Sequence, residues 1–204
     1  KKNKKMFKTS FYYDLNIIKK HNHIYFKLNN GHTLIYNDVR RFGFFKIYNK
    51  NEINKITFLN KLGVEPFSKK FNAGYFKNFI QKRKKNIKNL LMDQTFISGL
   101  GNIYVNEALF LSRIKPLRSC NDVNQHEISN LILNIKKILK LSISKGGSSI
   151  RDFKNTDGKN GSFQQFFYVY GKKNKKCSRI SCKGKIKKIM ISNRSSFFCE
   201  KCQN

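Results

Sequence analysis

Acidic residues are scarce in this sequence: eleven aspartates and glutamates stand against 43 lysines and arginines, a formal charge of +32 over 204 residues. That imbalance lies far outside the range of a soluble enzyme of small metabolites and points to a polyanionic partner. A genome bias toward Lys, Asn, Ile and Phe is the other source of so many lysines, yet a chain this cationic binds nucleic acid nonspecifically in either case. Long apolar runs are also missing. No stretch approaches the roughly 18 residues of a membrane span, and no signal peptide with an apolar core is present, so no membrane role is expected. A cytosolic setting follows. Proline occurs twice, at Pro66 and Pro116, both internal. Cysteine is rare until the last 28 residues, which hold four of the five; Cys120 stands apart as a buried or incidental thiol.

What is present suffices for a fold, since 39% apolar content with 19 Phe supplies a packed core. The opening KKNKKMFKTSF begins with Lys1 rather than Met, and the chain is expected to be the C-terminal part of something longer. From His21 to Tyr48 the runs HIYFKL, HTLIY and FGFFKIY read as strands, with Asn29-Asn30-Gly31 as a hairpin turn. LGVEPFSKKF, with Pro66, reads as a connector at a domain boundary. Helical spacing follows around Phe76, Phe79 and Ile80, and again around Ile87, Leu90 and Leu91, with the basic bend QKRKKN between. Asn102 is expected to cap the helix IYVNEALFLSR. A longer helix is predicted over Gln125–Ser144, opened by a capping box of Asn124 and Glu127 and ended by Gly146-Gly147. The polar segment from Gly147 to Gly161 reads as a ligand-gripping loop or as disorder, and FQQFFYVYG as a strand leading to the cysteines.

Cys177 and Cys182 are separated by four residues, Cys199 and Cys202 by two, and the pairs by sixteen. Two close pairs joined by a hairpin-length connection suit one tetrahedral structural Zn2+, with KGKIKKIMISNRSSFF as the hairpin. Two disulfides are the alternative, disfavoured in a reducing compartment.

Taken together, NDVRRFG (37–43), LGVEP (62–66), IKNLLMDQTFISGLGNIYVNEALF (87–110), SSIRDF (148–153), DGKNGSFQQFFYVYGK (157–172) and the terminal CEKCQ resemble the formamidopyrimidine-DNA glycosylase family from about His21 onward. The resemblance implies an α+β fold: the C-terminal part of a β-sandwich domain in 1–61, a helix-two-turn-helix helical domain with a lesion-capping loop in 62–170, and a zinc-finger β-hairpin in 171–204. It implies a bifunctional DNA glycosylase and AP lyase of base excision repair, acting on oxidised purines in damaged double-stranded DNA as a bacterial, cytoplasmic, nucleoid-associated monomer.

Residue by residue, Arg40 and Phe42 match the family's duplex wedge, with Arg41 beside them, although Val39 stands where the family has proline. Asn102 and Lys88 match its phosphate grip, and His21, Lys82 and Arg151 further DNA contacts. Arg194 matches the finger arginine that holds phosphates and assists δ-elimination. The first knuckle is Cys-x4-Cys where many members have Cys-x2-Cys. The family's N-terminal proline nucleophile and neighbouring glutamate are not in this sequence, so the longer parent is expected to be the enzyme and this chain to bind without excising. An endonuclease VIII-like enzyme for oxidised pyrimidines, a noncatalytic zinc-dependent nucleic-acid-binding module and a ribosome-associated basic protein are the competing readings.

Overall fold

The computed structural model describes residues 19–81, 83–149 and 160–204, which pack as two compact units. Of the described residues, those of 19–53 and 145–164 form the first, and those of 54–144 and 165–204 the second.

In the first unit, β1 (Asn22–Lys27) pairs antiparallel with β2 (Thr33–Asn37), Tyr25 opposite Ile35 and Phe26 opposite Leu34. Gly31 supplies the left-handed residue of the turn, with φ 77°. The expected third strand, FGFFKIY, does not form: residues 42–48 pair with nothing as a strand, and Phe42, Phe44 and Ile47 are exposed. The cause lies just upstream, where Asp38 takes three backbone N–H groups, from Arg40, Arg41 and Gly43, and so bends the chain away from a ladder. In the same unit, the Ser149 N–H donates to Gln164, the Gly161 N–H to the Ser149 hydroxyl, and the Phe163 N–H to the Gly147 carbonyl. These bonds tie the two ends of the polar loop together. Gly161 is required there, because a Cβ would sit 2.1 Å from the Gly147 carbonyl.

The second unit is built from α1 (Thr57–Asn60), α2 (Ala73–Ile80), α3 (Ile87–Leu91), α4 (Asn102–Leu111) and α5 (Gln125–Ser144), followed by the hairpin β3 (Ile186–Ile191) and β4 (Arg194–Cys199). Helix starts are set by side chains: Asn72 accepts from the Tyr75 N–H at 2.9 Å and Asn86 from the Asn89 N–H at 2.8 Å. The capping box at α5 is reciprocal, Asn124 and Glu127 each taking the other's N–H. Arg118 closes on Glu127 at 2.6 Å and fixes it. Ile128, Leu131, Ile132, Ile135 and Leu139 bury one face of α5 against the core of Phe71, Phe76, Leu91, Phe96 and Leu109, and Ile138 is buried too. FQQFFYVYG, expected as a strand, is irregular beyond a 3-10 turn at Phe163–Phe166. Its backbone donors are consumed by Glu107 instead of a ladder. No helix among the described residues is long and apolar enough to cross a membrane.

Candidate nucleic-acid interface and metal centre

The two-residue turn Ser192-Asn193, with φ 48° and 58°, folds β3 back into β4 and presents Arg194 as the first residue of β4. Both central residues at positive φ are what a tight hairpin of native twist needs, and Asn tolerates the conformation. Arg194 is exposed, and among the described residues no carboxylate pairs with it. Its neighbour Ser195 presents a carbonyl on which two other elements converge. Lys88 Nζ, from α3, donates to it at 3.1 Å, and Asn102 Nδ2, at the start of α4, at 3.0 Å. Lys88 also donates to the Ser196 hydroxyl at 2.6 Å.

Lys88 is 1% exposed. Burial, helped by the Arg194 guanidinium close by, brings its ammonium down from the usual lysine range to about 8. Asn102 is not the cap it was expected to be. Gly101 occupies the N-cap position and offers no side-chain bond, so Asn102 is the first helical residue and its amide is free to reach the hairpin. Among the described residues no side chain caps the first N–H groups of α4.

Asn106, one turn on and fully buried, donates to the Asn102 carbonyl at 2.6 Å and accepts from the Phe197 N–H at 2.6 Å. It thus locks the register of β4 against α4. Glu107, also fully buried, accepts the N–H groups of Tyr168, Val169 and Tyr170 at 2.6, 3.1 and 2.8 Å. Burial raises its carboxyl against those three donors. Sequence reasoning missed both residues. A polar pair, Asn-Glu, inside the apolar run IYV–ALFL is the signal that was available, because buried polar groups require partners.

At the opposite end of the hairpin the four cysteine sulfurs gather within 4.8 Å of one another. Cys177 and Cys202 approach to 3.8 Å and Cys182 and Cys199 to 3.6 Å, and all are free thiols. A tetrahedral ion with bonds of about 2.3 Å to sulfur has S···S edges of about 3.8 Å, so the donor set fits a tetrahedral metal, longer first knuckle included. Although burial opposes it, the Cys199 thiol is lowered by the backbone N–H groups of Cys202 and Lys201, which favours the thiolate a metal binds. Gly184 is needed beside it, since a Cβ would lie 2.7 Å from the Cys199 sulfur. Phe110, Val169, Ile186 and Phe197 form the small core under the four cysteines.

In the first unit, Asp38 organises the NDVRRFG turn. Its carboxylate, held below the usual range first by the Gly43 N–H, also accepts from the Tyr36 hydroxyl. Arg41 takes a left-handed φ of 54°, and Gly43 leaves room where a Cβ would meet the Tyr36 oxygen at 1.8 Å. The outcome is Phe42 79% exposed, with the Arg40 guanidinium 4.8 Å from its ring centroid. His21 is half-buried just before β1, its carbonyl accepting the Asp38 N–H at 3.0 Å. Lys82 and Arg151 lie outside the described residues.

Comparison with known proteins bears on the same residues. The family model described as formamidopyrimidine-DNA glycosylase H2TH domain matches residues 62–154. The chain is 45% identical over 185 residues to a formamidopyrimidine-DNA glycosylase of Rickettsia massiliae, covering 91% of this chain and 65% of that protein. It is 41% identical over 186 residues to one of Oceanobacillus iheyensis, covering 91% and 66%. Among solved structures it is similar to the Lactococcus lactis protein in complex with abasic-site DNA, with TM-score 0.79 and 38% identity over 90% of this chain and 66% of that one. The Thermus thermophilus protein gives TM-score 0.78 and 32% identity, over 90% and 68%. The chain thus spans about two thirds of the length of the relatives it matches.

Proposed function

Because the chain belongs to the formamidopyrimidine-DNA glycosylase family, we propose that Lys88, Asn102 and Arg194 grip the backbone of damaged duplex DNA, and that the whole protein excises oxidised purines and nicks the strand as an AP lyase. The observation that carries this reading is the convergence of Lys88 and Asn102 on the Ser195 carbonyl, beside Arg194.

An enzyme acting on a stacked base must turn the nucleotide out of the duplex, so it needs a hold on the flanking phosphates and something to fill the gap. The uncapped start of α4 supplies backbone donors for a phosphate, Lys88 a buried ammonium and Arg194 a planar fork suited to bidentate binding. By the same contact Arg194 offsets charge on the phosphate that leaves in δ-elimination. Arg40 and Phe42 suit the wedge, a ring already exposed and stacked by a guanidinium, with Arg41 beside them. His21, Lys82 and Arg151 are the outlying DNA contacts. The four cysteines hold one structural Zn2+, which supplies folding free energy to a hairpin with a small core of its own. In domain terms we read 62–170 as the helical domain and 171–204 as the finger. The protein works as a monomer in the bacterial cytoplasm, on the nucleoid.

The chain by itself is proposed to bind and not to excise. Fluorescence anisotropy on a duplex with a tetrahydrofuran abasic analogue is expected to give affinity about tenfold above that for undamaged duplex, with Arg194→Ala removing that difference. No strand cleavage is expected on an 8-oxoguanine duplex. Equal affinity for both duplexes would refute the grip, and efficient cutting would refute the inactivity of the chain. For the whole protein, faster excision of 8-oxoguanine than of thymine glycol separates this assignment from an endonuclease VIII-like one.

A further inference from the structure

A recess of about 470 Å³ opens beside the cysteine cluster, lined by Arg113, Arg179, Ser181, Lys183, Lys201 and Asn204, with Cys182 and Cys202 in its wall. Arg179 is held in place. Its guanidinium donates to the Phe110 and Leu111 carbonyls at 2.8 and 3.0 Å and lies 4.9 Å from the Phe110 ring centroid, while its buried Nε–H has no acceptor among the described residues. Among the described residues no carboxylate pairs with Arg113, Lys183 or Lys201, and the neighbouring acid, Glu200, is taken by Lys187 at 3.2 Å. A divalent ion on four thiolates carries a charge of 2−, which offsets only two of the recess's four cations.

The backbone fixes where Arg113 stands. Arg113 adopts φ 61°, a conformation natural to glycine and unfavourable for a residue with a side chain. That φ ends α4, the Arg113 N–H bonding the Phe110 carbonyl and the Ile114 N–H the Leu109 carbonyl, and it leaves the Arg113 side chain on the rim of the cationic hollow.

We propose that this recess is a docking site for an acidic peptide segment of a protein partner. It lies at the C-terminal end of α4, whereas Asn102 and Ser195 meet at the N-terminal end. Ten helical residues put about 15 Å between the two. A concave hollow of this size admits a few carboxylate side chains on a flexible strand and rejects the convex, rigid surface of a duplex. Ser181 and Asn204 add neutral donors to the rim.

The test is binding of a fluorescein-labelled hexaglutamate peptide to the full chain at physiological salt. Lys183→Glu/Lys201→Glu is compared with Lys137→Glu/Lys140→Glu on the exposed side of α5, a pair with the same change of charge. The first pair is expected to weaken peptide binding about tenfold and the second less than about threefold, with duplex affinity alike in both. Arg113→Gly, which also relaxes the backbone, is expected to weaken peptide binding about threefold while preserving thermal stability. Equal loss of peptide binding in the two charge-reversed pairs would overturn the proposal by reducing it to net charge. Loss of duplex binding matching the loss of peptide binding in the first pair would overturn it in favour of a DNA contact.

Discussion

Lys88 keeps an ammonium where only 1% of the residue is exposed, satisfied by two serine oxygens and facing the charge of Arg194. Below about pH 8 both folded and unfolded chains hold that proton, and the folded one bears the full burial penalty. Between about 8 and the ordinary lysine value of about 10.4, the unfolded chain binds more protons, so this group makes stability rise with pH. Lys88→Met is therefore expected to melt no lower than the native chain at pH 7 and to lose that rise in thermal melts between pH 8 and 10. Its affinity for an abasic duplex should fall about tenfold at pH 7. The native chain's affinity should drop as pH passes about 8, and the variant's should not. Asn106 acts differently. Removing its amide orphans the Phe197 N–H and the Asn102 carbonyl in a buried place, so Asn106→Ala is expected to cost about 2–3 kcal/mol in denaturant unfolding. The sequence could name Lys88, Asn102 and Arg194 only through a family likeness, because Lys88 and Asn102 meet beside Arg194, at a backbone carbonyl about a hundred residues from each of the two. Asn106 and Glu107 were visible as an anomaly, a polar pair in an apolar run, but their partners were not.

At the scale of elements, legibility followed how local the determinants were. The helix over Gln125–Ser144 was readable to its ends because Asn124, Glu127 and Gly146 lie next to it. FGFFKIY failed because composition favours strand, whereas a single carboxylate, Asp38, gathers the N–H groups of Arg40, Arg41 and Gly43 into a turn. The cysteine hairpin was readable from spacing alone, whereas the stabilisation a metal would give it is a matter of energy. The core beneath it is a handful of side chains, Phe110 of α4 and Val169 with Ile186 and Phe197 of the hairpin. Chelation of the metal is expected to abolish amide hydrogen-exchange protection across 177–202 while α5 keeps its own, and to weaken duplex binding about tenfold or more. Retained protection in 177–202 after complete metal removal would contradict this.

For the whole molecule the governing quantity is charge, +32 over 204 residues. If four to six phosphates are neutralised on binding, log affinity for duplex should fall against log salt with a slope of about −4 to −5, a loss of roughly 10²–10³ between 50 and 200 mM. A slope near −1 in a salt titration would mean that most of these lysines face only solvent. Damage preference, in contrast, should survive added salt, since it resides in a few placed groups. Lys88 shows how such a group is maintained. In the unliganded chain its charge sits at a loss, compressed like a loaded spring between two serines and an arginine, and an arriving anion releases the load. Selection for heat resistance alone should therefore find position 88 repeatedly, and each success there should yield a tougher protein with an about tenfold weaker hold on an abasic duplex.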